Sequence, residues 1–168
     1  MENIFLIGFM GCGKSTVSAY LSKQYHMEIL EMDQMIVEQE GMPIAQIFEQ
    51  FGEPYFRDLE TKLLKAIEPE NNQVISCGGG VALRMENVEA MKKTGKIVLL
   101  YAKPETILER VKNDHRRPLL EGNHNIAFIN KIMEQRRPYY EQAADFIITT
   151  DGKEVDEICA EIMEKVQK

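Results

Sequence analysis

The chain has 168 residues, of which 44% are hydrophobic and 28% charged, and its formal net charge at pH 7 is −7. Its length suits one domain with a sizeable core, and its composition is ordinary for a globular protein. A net acidic chain is a poor match for nucleic acid, which is bound through clustered lysine and arginine. No apolar run approaches the ~20 residues of a membrane span, so we expect no membrane partner and a cytoplasmic location.

The three cysteines are Cys12, Cys77 and Cys159. Their number is odd and none forms a C-x-x-C pair, so the sequence predicts neither a disulfide framework nor a zinc site. Cys12 and Cys77 fall in loops that could face a bound phosphate. A thiol at such a position can serve a redox role or simply fill space.

The first predicted strand, residues 4–7, leads into a G-x-x-x-x-G-K-S motif and then into a helical pattern. Strand, glycine-rich turn and helix together are the context of a phosphate-binding loop. Its glycines let several backbone N–H groups point at a phosphate, Lys14 would bridge the β- and γ-phosphates, and Ser15 would bind Mg²⁺. The sequence therefore predicts a nucleoside triphosphate site. Its residues are Gly11, Cys12, Gly13, Lys14, Ser15 and Thr16.

Further apolar runs predict strands at residues 28–32, 73–76, 97–101 and 145–149. Helical patterns lie between them: two short helices divided at 41–43, one over about 53–67, one over 87–93, one from Pro104, a long one over 126–143, and a C-terminal amphipathic one. This alternation predicts an α/β fold with a five-stranded parallel sheet and helices on both faces. Ligands of such sheets bind at the carboxyl ends of the strands.

A stretch of about 112–124 is rich in charge, histidine, glycine and asparagine and poor in apolar residues. It predicts a mobile surface loop long enough to serve as an active-site lid. Other classes of phosphate-loop protein fit less well. A guanine-specific GTPase would need Asn-Lys-x-Asp, and the nearest candidate is Asp151-Gly152-Lys153; motor-type ATPases would need a strand ending in Asp-Glu, and Val74-Ile75 ends in Ser76. A small kinase remains.

Five segments then carry a family resemblance. They are residues 8–15, the run Phe51-Gly52-Glu53-Pro54-Tyr55-Phe56-Arg57-Asp58-Leu59-Glu60, Cys77-Gly78-Gly79-Gly80, Arg117-Pro118-Leu119-Leu120, and Arg136-Arg137-Pro138-Tyr139-Tyr140. In this order they make nearly the whole chain similar to the shikimate kinases. The resemblance implies a single domain over residues 1–168 with the three-layer fold of P-loop kinases, a substrate-binding helical region at about 33–60, and the lid.

The activity that the resemblance implies is phosphorylation of the 3-hydroxyl of shikimate by ATP, with Mg²⁺, by a monomer, in aromatic amino acid biosynthesis. Arg57 and Arg136 would clamp the substrate carboxylate, since the planar guanidinium matches a carboxylate bidentately. Arg57 could instead pair with Glu53 or Glu60. Arg137 competes with Arg136 for the second position, and motif position favours Arg136.

By the same resemblance, Asp33 would orient, and could deprotonate, the attacking hydroxyl, with orientation the weightier role. A helix N-cap is the alternative for this aspartate. Gly79 and Gly80 would bring backbone N–H groups to the substrate. Phe48 and Phe56 would pack against the substrate ring, or they could simply belong to the core.

Arg117, on the expected lid, matches the arginine that closes over the nucleotide phosphates, and Arg110 matches one that packs on adenine. Arg110 could equally pair with acids of its own helix. Glu31 is a departure, because the family usually has an aspartate there that assists Mg²⁺ through water. A glutamate could bind the ion directly or lean away from it.

Two other functions stay open at this level. A related small kinase could act on gluconate, a nucleotide or another polyol, although two arginines for a carboxylate speak against a neutral acceptor. The second alternative is a regulatory module that binds a nucleotide without turnover. The presence of Lys14, Asp33 and Arg117 argues against it.

Overall fold

The computed structural model describes residues 2–111 and 126–167. In this part of the chain the strands are β1 (Asn3–Ile7), β2 (Glu28–Glu31), β3 (Gln73–Ser76), β4 (Gly95–Tyr101) and β5 (Phe146–Thr149). The helices are α1 (Lys14–Tyr25), α2 (Met32–Glu40), α3 (Ile44–Phe51), α4 (Glu53–Lys65), α5 (Met85–Thr94), α6 (Pro104–Val111), α7 (Ile126–Ala143) and α8 (Val155–Val166), with a 3₁₀ turn at Val81–Leu83. None of the helices in these residues is long and apolar enough to cross a membrane.

The sheet has five parallel strands in the order β2-β3-β1-β4-β5, which confirms the predicted fold class. The central strand β1 is buried along its whole length, as expected for a strand covered on both faces. Helix α1 packs with α8, whereas α5 packs with α4 and with the turn after β3. The chain therefore leaves the neighbouring strands β1 and β3 in different directions, and a crevice opens between their carboxyl ends.

The second strand is one residue shorter than the sequence predicted. Glu31 pairs with Ser76, the last residue of β3, so the ladder ends there and α2 begins at Met32. Glu31 occupies the N-cap position without a side-chain cap hydrogen bond, and Asp33 lies in the first turn of the helix. The N-cap alternative for Asp33 is therefore wrong, and its carboxylate needs another explanation.

Several other boundaries differ from the predicted ones by one or two residues. Helix α5 is longer than residues 87–93, and β4 starts directly after it because Gly95 pairs with Asn3. Strand β5 starts at Phe146. Asp145 precedes the ladder and accepts a hydrogen bond from the Ile97 amide through its carboxylate at 2.8 Å.

The helical region at about 33–60 has a small core of its own. Ile36, Ile47 and Phe56 are buried together between α2, α3 and α4, and Phe48 packs against them. The rings of Phe48 and Phe56 have centroids 5.2 Å apart. This packing fixes α4 relative to the sheet, and with it the position of Arg57.

Candidate active site

The loop between β1 and α1 has the backbone that a phosphate-binding loop requires. Gly8, Gly11 and Gly13 have φ values of 143°, 83° and 106°, a region that side chains disfavour. A Cβ on Gly8 would lie 2.5 Å from the carbonyl oxygen of Leu100. Close approach to β4 therefore excludes a side chain there as well.

Lys14, the first residue of α1, folds its side chain back over this loop. Its Nζ donates to the carbonyl oxygens of Gly8 at 2.5 Å and Phe9 at 3.3 Å. The ammonium group and the positive end of the α1 dipole thus act on the same concavity. This arrangement suits a polyphosphate.

A cavity of about 290 Å³ opens beside the loop, at the carboxyl ends of the three strands β1, β2 and β3. The residues that line it include Gly11, Gly13, Lys14, Ser15, Thr16, Glu31, Asp33, Gly78, Gly79 and Arg110. Most of the predicted nucleotide residues therefore face one space, together with both candidate metal residues. Of the candidate acceptor residues, Asp33 and Gly79 line this cavity, whereas the others do not. Cys12 is buried behind the loop.

An adjoining cavity of about 200 Å³ lies between α1, α6 and the start of α8. Arg110 lines both cavities, and its Nη1 donates to the carbonyl oxygen of Gly11 at 2.8 Å. Thr150, Lys153 and Val155 also line the second cavity. The sequence predicts that the loop of Thr150 and Lys153 lies at the carboxyl end of the sheet, but it assigned neither residue a role. Their position directly after the last strand is the signal that could have found them.

Arg57 makes both of the ion pairs that the sequence offered as alternatives to a substrate role. Its Nη2 lies 3.0 Å from Glu53 Oε1, and its Nη1 lies 2.9 Å from Glu60 Oε1. The guanidinium also lies 5.3 Å from the centroid of the Phe56 ring. A Cβ on Gly80 would sit 2.5 Å from Nη1, so the same group packs directly on the glycine loop.

Arg136 is nearly buried, with 7% of its surface exposed, and its Nη1 has no hydrogen-bond partner within the described ranges. This nitrogen would lie 3.0 Å from a Cβ on Gly79. A buried guanidinium nitrogen without a partner is costly and calls for an acceptor from a ligand. Arg137 is instead exposed and bridges Glu134 and Glu141. The geometry favours Arg136 as the second cation.

Glu60 is fully buried and was missed as a site residue, although Arg57-x-x-Glu60 spacing on a helix is a visible signal. Its Oε2 has no hydrogen-bond partner among the described residues. A Cβ on Gly78 would lie 2.5 Å from that oxygen and 3.3 Å from Asp33 Oδ1, so both carboxyl groups face one glycine. Burial raises the pKa of Glu60 to about 7, against the opposing effect of Arg57.

Tyr140 fixes the glycine loop from the other side. Its hydroxyl donates to the carbonyl oxygen of Gly79 at 2.6 Å, and burial raises the pKa of this phenol to about 12. The residue therefore stays a neutral donor at physiological pH. The sequence segment around Arg136 included Tyr140, but nothing in the sequence showed its partner.

Comparison with known proteins decides the family. The shikimate kinase family model matches residues 10–167. The chain belongs to the shikimate kinase family. The curated shikimate kinases of Thermodesulfovibrio yellowstonii and a Sulfurihydrogenibium species are 40% and 42% identical to it over 168 residues, which is 100% of this chain and 96% and 99% of theirs.

Solved structures agree with this assignment. Shikimate kinase from Acinetobacter baumannii, in complex with shikimate, has a TM-score of 0.93 at 32% identity and covers 99% of this chain and 93% of that one. Shikimate kinase from Aquifex aeolicus has a TM-score of 0.83 at 38% identity, covering 98% and 96%. A gluconokinase from Sinorhizobium meliloti covers 99% and 91% with a TM-score of 0.55 at 14% identity, and shares the fold alone.

The candidate ligands of Mg²⁺ are chemically suited to that ion. Ser15 and Glu31 line the cavity beside the phosphate-binding loop, and hydroxyl and carboxylate oxygens are ligands that Mg²⁺ prefers. No group of three or more His, Cys, Asp or Glu side chains in residues 2–111 and 126–167 could hold a metal by itself. These residues fit an ion that is held largely by nucleotide phosphates and water.

Two predicted features lie outside the described residues. They are the lid at about 112–124 and Arg117 on it.

Proposed function

We propose that this protein transfers the γ-phosphoryl group of ATP to the 3-hydroxyl of shikimate, giving shikimate 3-phosphate and ADP in aromatic amino acid biosynthesis. The observation that carries the proposal is the convergence of Arg57 and Arg136 on the adjacent Gly80 and Gly79. Two guanidinium groups at one glycine loop fit the carboxylate of a small acid. The solved relative from Acinetobacter baumannii that contains shikimate supports this acceptor.

ATP binds with its phosphates in the loop between β1 and α1. The loop amides, Lys14 and the α1 dipole oppose the phosphate charge, and the ammonium exchanges its carbonyl partners for phosphate oxygens. Arg110 and the loop after β5 flank the adenine side. We assign the γ-phosphate to the crevice between β1 and β3, beside Asp33, because Lys14, Ser15 and Asp33 line the same cavity.

Asp33 accepts a hydrogen bond from the attacking hydroxyl and fixes its lone pair in line with the phosphorus atom. The new bond joins that oxygen to phosphorus, the bond to the β-phosphate oxygen breaks, and the hydroxyl proton leaves to Asp33 or to solvent. Positioning and charge neutralisation carry most of such a transfer. The amides of Gly79 and Gly80 and the rings of Phe48 and Phe56 complete our assignment of the acceptor site, although Phe56 also serves the helical core.

Ser15 would hold Mg²⁺ directly and Glu31 would support it through water. When bound, the ion would supply neutralisation of the charge on the transferred phosphoryl group. We assign the protein to the cytoplasm, where ATP is available and where three unpaired buried thiols persist. All of these groups come from one chain, which supports a monomer.

The experiment is ADP release from MgATP in a coupled assay, with shikimate, gluconate and a nucleoside monophosphate supplied separately. We expect rapid release with shikimate only. Release with another acceptor alone would overturn the acceptor assignment while leaving the nucleotide site intact. Tight ATP binding without release by any acceptor would favour a regulatory module.

A matched pair of variants tests the clamp within the same assay. Arg136→Ala should raise KM for shikimate by about a hundredfold, because a charged hydrogen bond is lost from a buried site. Arg137→Ala removes a neighbouring arginine that is exposed and paired with Glu134 and Glu141, and should change KM by less than about twofold. Similar effects of the two variants would refute the assignment of Arg136.

A further inference from the structure

Ser18 is a buried hydroxyl close to the proposed metal site. It lies one turn after Ser15 on α1 and is fully buried. Its Oγ is 3.2 Å from Glu31 Oε1 and 3.0 Å from the carbonyl oxygen of Ser15. It therefore joins the helix that carries the metal-binding hydroxyl to the strand end that carries the carboxylate.

The hydroxyl has one proton for these two acceptors. A serine that bonds only to the carbonyl one turn earlier is a common local arrangement within helices, with no role outside the helix. An ionised carboxylate is the stronger acceptor, since charge-assisted hydrogen bonds are roughly twice as strong as neutral ones. The Glu31 carboxylate is therefore the partner that decides the orientation of the Ser18 hydroxyl.

Glu31 has a particular need for such a partner. A glutamate side chain has one more rotatable bond than an aspartate, and fixing it costs conformational entropy. Mg²⁺ tolerates little deviation from octahedral geometry, so a loosely held carboxylate is a poor support for its water ligands. Backbone pairing with Ser76 fixes the base of Glu31, but only a contact further along the side chain can fix its carboxylate.

We propose that Ser18 is a positioning residue, which holds the Glu31 carboxylate so that it supports a water ligand of Mg²⁺ instead of coordinating the ion itself. One carboxylate oxygen is engaged by the hydroxyl, and the second remains available to water. Ser15 supplies the direct ligand from the preceding turn of the same helix. This inference rests on the proposed function, in particular on the use of Mg²⁺ with the nucleotide.

The test is a double-mutant cycle with Ser18→Ala and Glu31→Asp, read out as the affinity of the enzyme–ADP complex for Mn²⁺ by electron paramagnetic resonance. Ser18→Ala should weaken Mn²⁺ binding about threefold to tenfold. A tenfold loss of affinity corresponds to about 1.4 kcal/mol. In the Glu31→Asp background the same change should have less than about a twofold effect. The shorter side chain, by one C–C bond of about 1.5 Å, cannot reach the hydroxyl.

Several results would overturn the inference. Unchanged or tighter Mn²⁺ binding in Ser18→Ala would show that the hydroxyl does not hold the carboxylate in a supporting position. An equal loss in both backgrounds would show that Ser18 acts through α1 alone. A wild-type enzyme–ADP complex that binds no Mn²⁺ would refute the proposed use of the metal as well, so the two failures are distinguishable.

Two further measurements exclude a merely structural effect. KM for shikimate should stay within about twofold in Ser18→Ala, because the acceptor clamp is on α4 and α7. If Ser18→Ala only weakened α1 locally, it would lower the urea midpoint of unfolding equally in the wild-type and Glu31→Asp backgrounds. A loss of Mn²⁺ affinity confined to the wild-type background is then separate from that change in stability. A change in KM for shikimate as large as the change in Mn²⁺ affinity would contradict a role confined to the metal.

Discussion

The buried carboxyl group of Glu60 should make the stability of this protein depend on pH, and Glu60→Gln should remove that dependence. Burial raises the folded-state pKa of Glu60 to about 7 from an ordinary value of 4.5. Between these values the folded protein binds the proton and the unfolded chain does not. The free energy of unfolding must therefore fall as the pH rises through this window.

The size of the effect follows from the two pKa values. Each pH unit between them contributes about 1.4 kcal/mol, so the whole window contributes about 3 kcal/mol. Between pH 5 and pH 8 the wild type should lose about 2 to 3 kcal/mol more than Glu60→Gln, because part of the window lies below pH 5. Asp33, Arg57 and Arg84, the charged groups that act on Glu60, are present in both proteins.

Urea unfolding at half-unit pH intervals from 5 to 8, followed by circular dichroism, measures the difference. Glu53→Gln is the matched control, since Glu53 also pairs with Arg57 but its side chain is 48% exposed. That variant should parallel the wild type to within about 0.5 kcal/mol. Parallel profiles for the wild type and Glu60→Gln would refute a raised pKa, and a wild type that gains stability toward pH 8 relative to Glu60→Gln would reverse its sign.

Two more changes test how the glycine loop and the metal site are built. Gly80→Ala should raise KM for shikimate about tenfold with little change in KM for ATP. The backbone at residue 80 accepts alanine because its φ is −98°, but the new Cβ would displace the Arg57 guanidinium. Equal increases in both KM values would contradict this prediction. Glu31→Asp should retain turnover within about tenfold and change the Mg²⁺ requirement only modestly in a magnesium titration. A loss of several hundredfold, on the order of 3 to 4 kcal/mol, would show a role for Glu31 beyond supporting the ion.

The sequence was sufficient for the fold and for the backbone of the glycine loop because both depend on local patterns. Alternating strand and helix periods leave few topologies. The glycine motif fixes its own backbone, so Lys14 and Ser15 were placed without any knowledge of distant contacts. The boundary of β2 could not be predicted in the same way, since it depends on where β3, its partner, ends.

The acceptor half depends on contacts between residues far apart in the chain. Burial of Glu60 arises from the approach of α4 to Gly78, and the bond from Tyr140 to Gly79 joins residues 61 positions apart. Sequence spacing also left two interpretations of Arg57, an ion pair on the helix surface or a cation that binds the substrate. The structure shows that the ion pairs form, and that they hold the guanidinium against Gly80. The ion pairs of Arg57 are thus compatible with its proposed role in binding the substrate.

The two arginines of the proposed clamp are held by different means, and this difference bears on how they would bind a carboxylate. Arg57 has acidic partners on its own helix, so a ligand carboxylate must share a guanidinium whose charge is already partly neutralised. Arg136 is buried over the Phe9 ring at 5.8 Å from its centroid and keeps one nitrogen without a partner in the described residues. A carboxylate that reaches Arg136 removes an existing cost of burial and also forms a new bond. Arg136 should therefore supply more of the binding free energy, while Arg57, fixed by Glu53 and Glu60, supplies orientation.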